Sequence, residues 1–340
     1  MRTLLYTQEY PPFKGGIANY YGYLVANWPE PESIFVLAKK CHGRYRQYFS
    51  QLYGLARAVW KNKIDYILVG QILPLGPVAH LWWRLSKTKY AVFFHGMDLA
   101  FALKHPRKAW LTKLVLKDAH RIICANNYTA ELLRANFPGL ESKTIVSNPG
   151  VSEYPERVKL DFFRNESEPL ILSIGRLVKR KGFASVIKAL PKGCHYVIIG
   201  QGPELENLKE LAGPEVNFIG QVSEAEKWSW LEACDLFIMP ASDLEGDFEG
   251  FGIVYLEANL VAKPVIAGDS GGVRDAVEDG FNGLLVDPND PRAIQAAIQK
   301  LIADPELRQR LGRQGRERAL KEFNWPRQVG NIFQHLTDQI

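Results

Sequence analysis

The chain has few cysteines. Cys41, Cys124, Cys194 and Cys234 are scattered, and no two form a C-x-x-C pair. That spacing excludes a zinc ribbon and a disulfide framework, and it fits a reducing compartment. No helix-turn-helix, RNP or zinc-finger pattern occurs, so nucleic acid is not an expected partner. The opening MRTLLYTQEYPP has no long apolar core and no A-x-A-like site, which sets the expectation of a cytoplasmic protein. Long apolar runs are scarce as well. Tyr66 to Trp83 is uncharged over 18 residues, near the lower limit for a membrane span, but Pro74, Gly76 and Pro77 interrupt it. It reads as strand, loop and then helix.

Two domains with full cores fit within 340 residues. Apolar content of 46% and charged content of 23% are those of an ordinary globular protein. Charge is unevenly split: residues 1–150 carry 20 Lys and Arg against 8 Asp and Glu, whereas residues 151–340 carry 22 against 29. A basic first half beside an acidic second half points to an anionic partner for the first half. Three stretches there mix cations with aromatics: Lys39–Phe49, Trp82–Lys89 and Lys104–Lys117. Such mixtures suit the interface of an anionic membrane, and solvated helix faces are the alternative reading.

Strand and helix signals alternate along the whole chain, the pattern of parallel sheets wrapped by helices. The first strand, Arg2–Thr7, runs through Pro11 and Pro12 to Gly15-Gly16, where a helix begins. A strand, a glycine turn and a helix N-terminus can cradle an anion, although the full G-x-G-x-x-G fingerprint is absent and a plain βα turn reads equally well. Further strands are expected at 34–38, 66–69, 91–95, 121–125 and 144–147. His95 closes one of them with Gly96 and Asp98 after it, at the kind of strand end where open α/β sheets bind ligands. A lone strand-end histidine is otherwise a structural residue.

Ser147–Val151 closes the first domain, and 152–168 is polar and weakly periodic, as a linker is. The second domain opens with the stretch Leu170 to Phe183, which begins as a buried strand. It delivers Arg176 and, five residues later, Lys181, one forked and one point-like cation able to hold a diphosphate. The chain is organised around a later stretch, Glu249-Gly250-Phe251-Gly252-Ile253-Val254-Tyr255-Leu256-Glu257. Eight helical residues turn through about 800°, so the two glutamates need not share a face. Gly252 and Ile253 mark a helix start whose N–H groups, with those of Phe251, favour phosphate. A carboxylate beside phosphate is repelled, so Glu249 and Glu257 are assigned to sugar or ribose hydroxyls. The preceding loop holds a second Glu-Gly pair, and Glu245 competes for the role of Glu249.

The E-x7-E spacing, together with G-R-x4-K-G over Gly175–Gly182, resembles the signature of retaining GT-B glycosyltransferases of family 4, and the resemblance spans nearly the whole chain. It implies an α/β fold of two Rossmann-like domains, their parallel sheets facing across a cleft. The domains are expected at 1–151 and 169–322, with a final helix in 323–340 crossing back to the first. It further implies transfer of a hexose-type sugar from a nucleotide-diphosphate sugar to a lipid or glycan, with retention and without a bound metal or other cofactor. No D-x-D pair, the metal-binding form of the other transferase fold, is present. Catalytic assignments that follow are His95 toward the donor sugar, Arg176 and Lys181 on the donor phosphates, and Glu249 on sugar hydroxyls. Gly15, Gly16, Val222, Phe251, Gly252, Ile253 and Glu257 follow as donor-binding positions, with Gly220–Val222 beside the nucleobase. A nucleotide-sugar epimerase and a non-catalytic nucleotide-sugar-binding partner are the alternatives. The expected location is the cytoplasm, with the inner membrane face as a peripheral docking surface.

Overall fold

The computed structural model describes residues 1–13, 15–39, 45–162 and 168–338, and the side chains of Tyr45 and Arg46 are excepted. Cys41 and the core of the first basic stretch, Lys40 to Arg44, lie outside the described residues. So do 163–167 of the segment read as a linker. The chain forms two compact units, Met1–Gly150 with Trp325–Ile340, and Val151–Asn324.

The first unit contains strands β1 (Thr3–Thr7), β2 (Ile34–Ala38), β3 (Tyr66–Val69), β4 (Lys89–Phe94), β5 (Arg121–Cys124) and β6 (Thr144–Val146). Its helices are α1 (Gly16–Ala26), α2 (Tyr45–Asn62), α3 (Ile72–Ser86), α4 (Met97–Leu103), α5 (Pro106–Asp118) and α6 (Asn127–Asn136). The second unit contains β7 (Leu170–Ile174), β8 (His195–Ile199), β9 (Val216–Gly220), β10 (Leu236–Met239), β11 (Val265–Gly268) and β12 (Gly283–Val286). Helices α7 (Phe183–Ala189), α8 (Leu205–Leu211), α9 (Glu224–Ala233), α10 (Ile253–Leu260), α11 (Val273–Ala276), α12 (Pro291–Ala303) and α13 (Pro305–Glu322) surround them. A last helix, α14 (Trp325–Thr337), returns to the first unit.

Each unit is built on a six-stranded parallel sheet, and the expected pair of Rossmann-like sheets is present among the described residues. Strands such as YILV, RIIC and LFIM are buried along their whole length. A parallel strand covered on both faces needs such an unbroken apolar run. In the first unit one face is covered by α2, α3, α5 and α6 through Leu55, Val59, Leu75, Val115 and Leu133. The other face is closed by α1 and α14, where Trp325, Val329, Ile332 and Leu336 recur at helical spacing against Tyr20, Tyr21 and Trp28.

Strand order decides where each unit can bind a ligand. In the first sheet it is β2-β1-β3-β4-β5-β6, so the chain leaves β1 in one direction and then resumes on its other side at β3. In the second it is β12-β11-β10-β7-β8-β9, and the reversal falls between β7 and β10. Loops leaving the two strands at such a switch point diverge and open a crevice at the carboxyl ends. The segment before β7 runs without regular structure over 152–162. It is pinned to the second unit by Val158 N–H on Ser229 Oγ at 2.9 Å and by Arg157 on Glu232 at 2.8 Å.

Candidate functional site

At the switch point of the second unit, β7 delivers Arg176 and Lys181, and β10 delivers the loop that contains Glu249. Arg176 is exposed. Lys181 lies in a short 3-10 turn, Lys179–Lys181, ended by Gly182 at φ +76°. A Cβ at Gly182 would run into the Pro240 carbonyl, so glycine is what lets this turn lie against the end of β10. The main chain is tied across the same gap by Ser242 N–H on Arg180 O at 2.7 Å.

Lys181 and Glu249 are each only 9% exposed, and a buried charge requires a partner. They meet in a direct ion pair of Lys181 Nζ with Glu249 Oε2. Arg180 joins from the side, Nη1 on Glu249 Oε2 at 2.8 Å and Nε on Asp247 Oδ1 at 3.0 Å. Burial alone would push the Glu249 carboxyl up, but Lys181 and Arg180 outweigh it and hold the group below its usual range. The loop carrying Glu249 is fixed at its carbonyl, which accepts Gly272 N–H at 2.9 Å.

The two Glu-Gly pairs are thereby distinguished. Leu244 and Asp247 exchange backbone hydrogen bonds of 3.1 and 3.0 Å around a turn whose tip is Glu245 at φ +55° and Gly246 at φ +82°. Glu245 is exposed on that tip, whereas Glu249 is buried among cations.

Gly252 caps α10 in the left-handed region, at φ +76°, and a Cβ there would collide with the Tyr255 ring. Tyr255 Oη donates to Met239 O at 2.7 Å, which fastens the first turn of α10 to the end of β10. Ile253, the first residue of α10, is 38% exposed, whereas Phe251 and Gly252 before it are buried. Phe251 turns inward, 6% exposed and packed on Phe323 with ring centroids 5.8 Å apart. Only its backbone is left to serve a ligand. Glu257 sits farther along the helix and pairs with Lys227 at 2.9 Å, while Lys227 also binds Glu224 at 2.7 Å. Burial pulls the Lys227 ammonium down, and the two carboxylates more than restore it. Val222, two residues past β9, is half-buried against the second core. Arg180, Asp247 and Lys227 were not singled out from sequence; the partners that tie them into the site, Glu249 for Arg180, Arg180 for Asp247 and Glu257 for Lys227, are 30 to 69 residues away.

The first unit's switch point is different in kind. Gly70, just after β3, donates its N–H to Tyr6 O at 2.8 Å, and a Cβ there would lie 2.8 Å from Thr7 Oγ1. Gln71 Oε1 accepts Gln8 N–H at 2.9 Å. Gly15 caps α1 in extended backbone and Gly16 opens it, with no atom within 4 Å of where its Cβ would stand. His95 leaves β4 among Tyr20, Tyr21 and Phe93, and the Phe93 ring is stacked on it at 6.3 Å. Asp98 Oδ1 accepts the N–H groups of His95, Gly96 and Leu99 at 3.1, 3.0 and 2.9 Å, fixing the turn that presents the histidine. Burial lowers His95 to about 4 and raises Asp98 to about 6.

The family model "Glycosyltransferase Family 4" matches residues 5–153, and "Glycosyl transferases group 1" matches 157–318. The chain belongs to the family 4 glycosyltransferases of GT-B fold. Among similar proteins is the GDP-mannose-dependent monoacylated alpha-(1-6)-phosphatidylinositol monomannoside mannosyltransferase of Corynebacterium glutamicum, 27% identical over 95% of this chain and 94% of its own length. The GDP-mannose-dependent alpha-(1-6)-phosphatidylinositol monomannoside mannosyltransferase of Mycolicibacterium smegmatis is 28% identical with the same coverage of both chains. The fold is shared with HepE of Anabaena, solved in complex with UDP, at TM-score 0.80 and 19% identity over 99% of this chain and all of that one. Sucrose-phosphate synthase of Thermosynechococcus elongatus superposes at TM-score 0.81 and 20% identity over the whole of both chains. As a family 4 glycosyltransferase the chain has its cationic switch point within the region matched by the group 1 model. Among the described residues, no helix is long and apolar enough to cross a membrane.

Proposed function

We propose that this glycosyltransferase moves a hexose-type sugar from a nucleotide-diphosphate sugar to a lipid-borne or glycan acceptor, with retention and without a metal. The observation that carries this reading is the cluster at the β7/β10 switch point: two cations after β7, a buried ion-paired carboxylate after β10, and the glycine-capped N-terminus of α10 that follows it. Arg176 and Lys181 would take the diphosphate, with N–H groups of Phe251, Gly252 and Ile253 adding to the field. The same cations stabilise charge that builds on the departing diphosphate. Glu249 would take sugar hydroxyls, and Glu257 the ribose, with Val222 beside the base. Gly15 and Gly16 would lie against the diphosphate, and His95 against the donor sugar. Lys181 has three N–H donors, so it can reach a phosphate oxygen while still paired with Glu249, and Arg180 is placed to keep that carboxylate charged as it meets the sugar. The mannosyltransferase relatives are named for GDP-mannose, so GDP-mannose is the first donor to assay.

The acceptor is proposed to lie at an anionic membrane surface, where the chain would bind peripherally on the cytoplasmic face. On α2 one stripe faces the core at Gln51, Leu55 and Val59, while Phe49, Tyr53 and Trp60 are 77, 69 and 75% exposed, with exposed Arg57 among them. Phe101 and Trp110 are exposed on α4 and α5 beside Lys104, Arg107 and Lys113. From residue 33 to residue 118 the only acidic residues are Asp65, Asp98 and Asp118. Aromatic side chains among snorkelling cations match a headgroup layer.

Radiolabelled sugar transfer from GDP-mannose, UDP-glucose and ADP-glucose into lipid extracts, run with chelator, tests the reaction. Product from one donor with the anomeric configuration kept supports the reading; no transfer from any, or an inverted product, contradicts it. Flotation with phosphatidylglycerol vesicles tests the surface, and Tyr53→Ala with Trp60→Ala should reduce the floated fraction several-fold.

A further inference from the structure

The ring of His95 is held by hydrogen bonds whose proton count is forced. Tyr21 Oη stands 2.5 Å from Gly70 O and 2.9 Å from His95 Nε2. A phenol has one proton to give, and a carbonyl can only accept. The Tyr21 proton therefore lies on the shorter contact, to Gly70. The contact to His95 is then a hydrogen bond only if Nε2 carries a proton and donates to the phenol oxygen. Tyr21 is fully buried, and that burial pushes its phenol far above the ordinary range, so phenolate is no alternative. The His95 ring is neutral at pH 7, which leaves Nδ1 without a proton. Among the described residues Nδ1 has no hydrogen-bond partner, and the residue is half-buried.

We infer that Tyr21 is a positioning residue: anchored on Gly70, it fixes His95 as the Nε2–H tautomer and makes Nδ1 an obligatory hydrogen-bond acceptor. This rests on the reading that His95 meets the donor sugar, and it adds the polarity of that contact. A bare Nδ1 accepts from a hydroxyl and repels the lone pairs of a phosphate or carboxylate oxygen. The group it selects is thus a sugar hydroxyl, and the neutral ring has no Nδ1 proton to give a leaving group. A sugar without that hydroxyl leaves the acceptor unpaired and is rejected.

The first test uses the native protein labelled with 15N-histidine, in long-range proton–nitrogen correlation at pH 7. The expected pattern for His95 is a protonated Nε2 and an unprotonated Nδ1; a protonated Nδ1 overturns the inference without any variant having to fold. Tyr21→Phe removes the phenol oxygen. It is expected to shift His95 toward the other tautomer and to lower kcat/KM at least tenfold. Discrimination between the accepted donor sugar and its single-deoxy analogues should shrink with it. Tyr21→Phe that keeps the Nε2–H pattern would show that something else sets the tautomer. His95→Ala separates the two levels: unchanged kcat/KM there removes His95 from the sugar, whereas the nitrogen spectrum of the native chain still decides the tautomer.

Discussion

The two switch points use the same topology for opposite chemistry. In the second unit, Lys181, Arg180, Asp247 and Glu249 form a cluster of full charges tied by direct ion pairs. In the first unit, Tyr20, Tyr21, Phe93 and a neutral His95 form an aromatic nest whose polar contacts are single, directed hydrogen bonds. Charges attract a ligand strongly but orient it loosely, whereas a neutral donor-acceptor pair fixes orientation for little energy. Under the proposed function the difference becomes a division of labour: the charged site would hold the diphosphate, and the neutral one would choose among sugar hydroxyls.

The comparison is broken most directly by removing the carboxylate. Glu249→Ala leaves Lys181 buried without its counter-charge, and loss of one partner of a buried pair costs about 3–5 kcal/mol. Urea denaturation should show a fall of that order, discounted for the help Arg180 finds in Asp247. Next come the cations: Arg176→Ala and Lys181→Ala should each lower turnover at least about tenfold, or about 1.4 kcal/mol. Near-normal turnover in both would remove the phosphate assignment from the charged site.

Acid sharpens the contrast. The folded-state pKa of His95 is depressed from 6.5 to about 4, so its stabilising effect is present above 6.5 and is lost as pH falls through 4. Glu249 is likewise depressed, so its contribution is present above its ordinary value of 4.5 and is lost only below that. Asp98, raised to about 6, works in the opposite direction beside His95, its stability lost as pH rises through 6. Stability of the native chain relative to His95→Asn should therefore decline between pH 6.5 and 4, and relative to Glu249→Gln only below about 4.5. Coincident windows would contradict the neutral-versus-charged distinction. The smallest effect is expected at Ile253→Ala, which exposes the helix start without touching either cluster and should leave stability within about 0.5 kcal/mol.

Much of the fold was legible because parallel strands advertise themselves. YILV and IFVLA are unbroken apolar runs, and both were placed within a residue or two of their observed ends. In the candidate site, local spacing singled out Arg176, Lys181, Glu249 and Glu257 as candidates. It could not show that Glu257 pairs with Lys227, or that Lys181 pairs with Glu249, because those contacts span 30 and 68 residues. Spacing to Glu257 favoured Glu249 over Glu245, but it could not show that one is exposed on a turn tip and the other buried among cations. Tyr21 was invisible for the same reason: its partners come from β3 and β4, and nothing beside it in the chain announces them.

The measurement that tests the central claim most directly is calorimetric titration of GDP-, UDP- and ADP-sugars into the native chain and into Lys181→Ala, with chelator present. The account predicts that one nucleotide family binds the native chain and that its affinity falls at least about tenfold in the variant. No binding of any donor at millimolar concentration, or equal affinity in both proteins, would contradict the assignment of the β7/β10 switch point to a nucleotide-sugar donor.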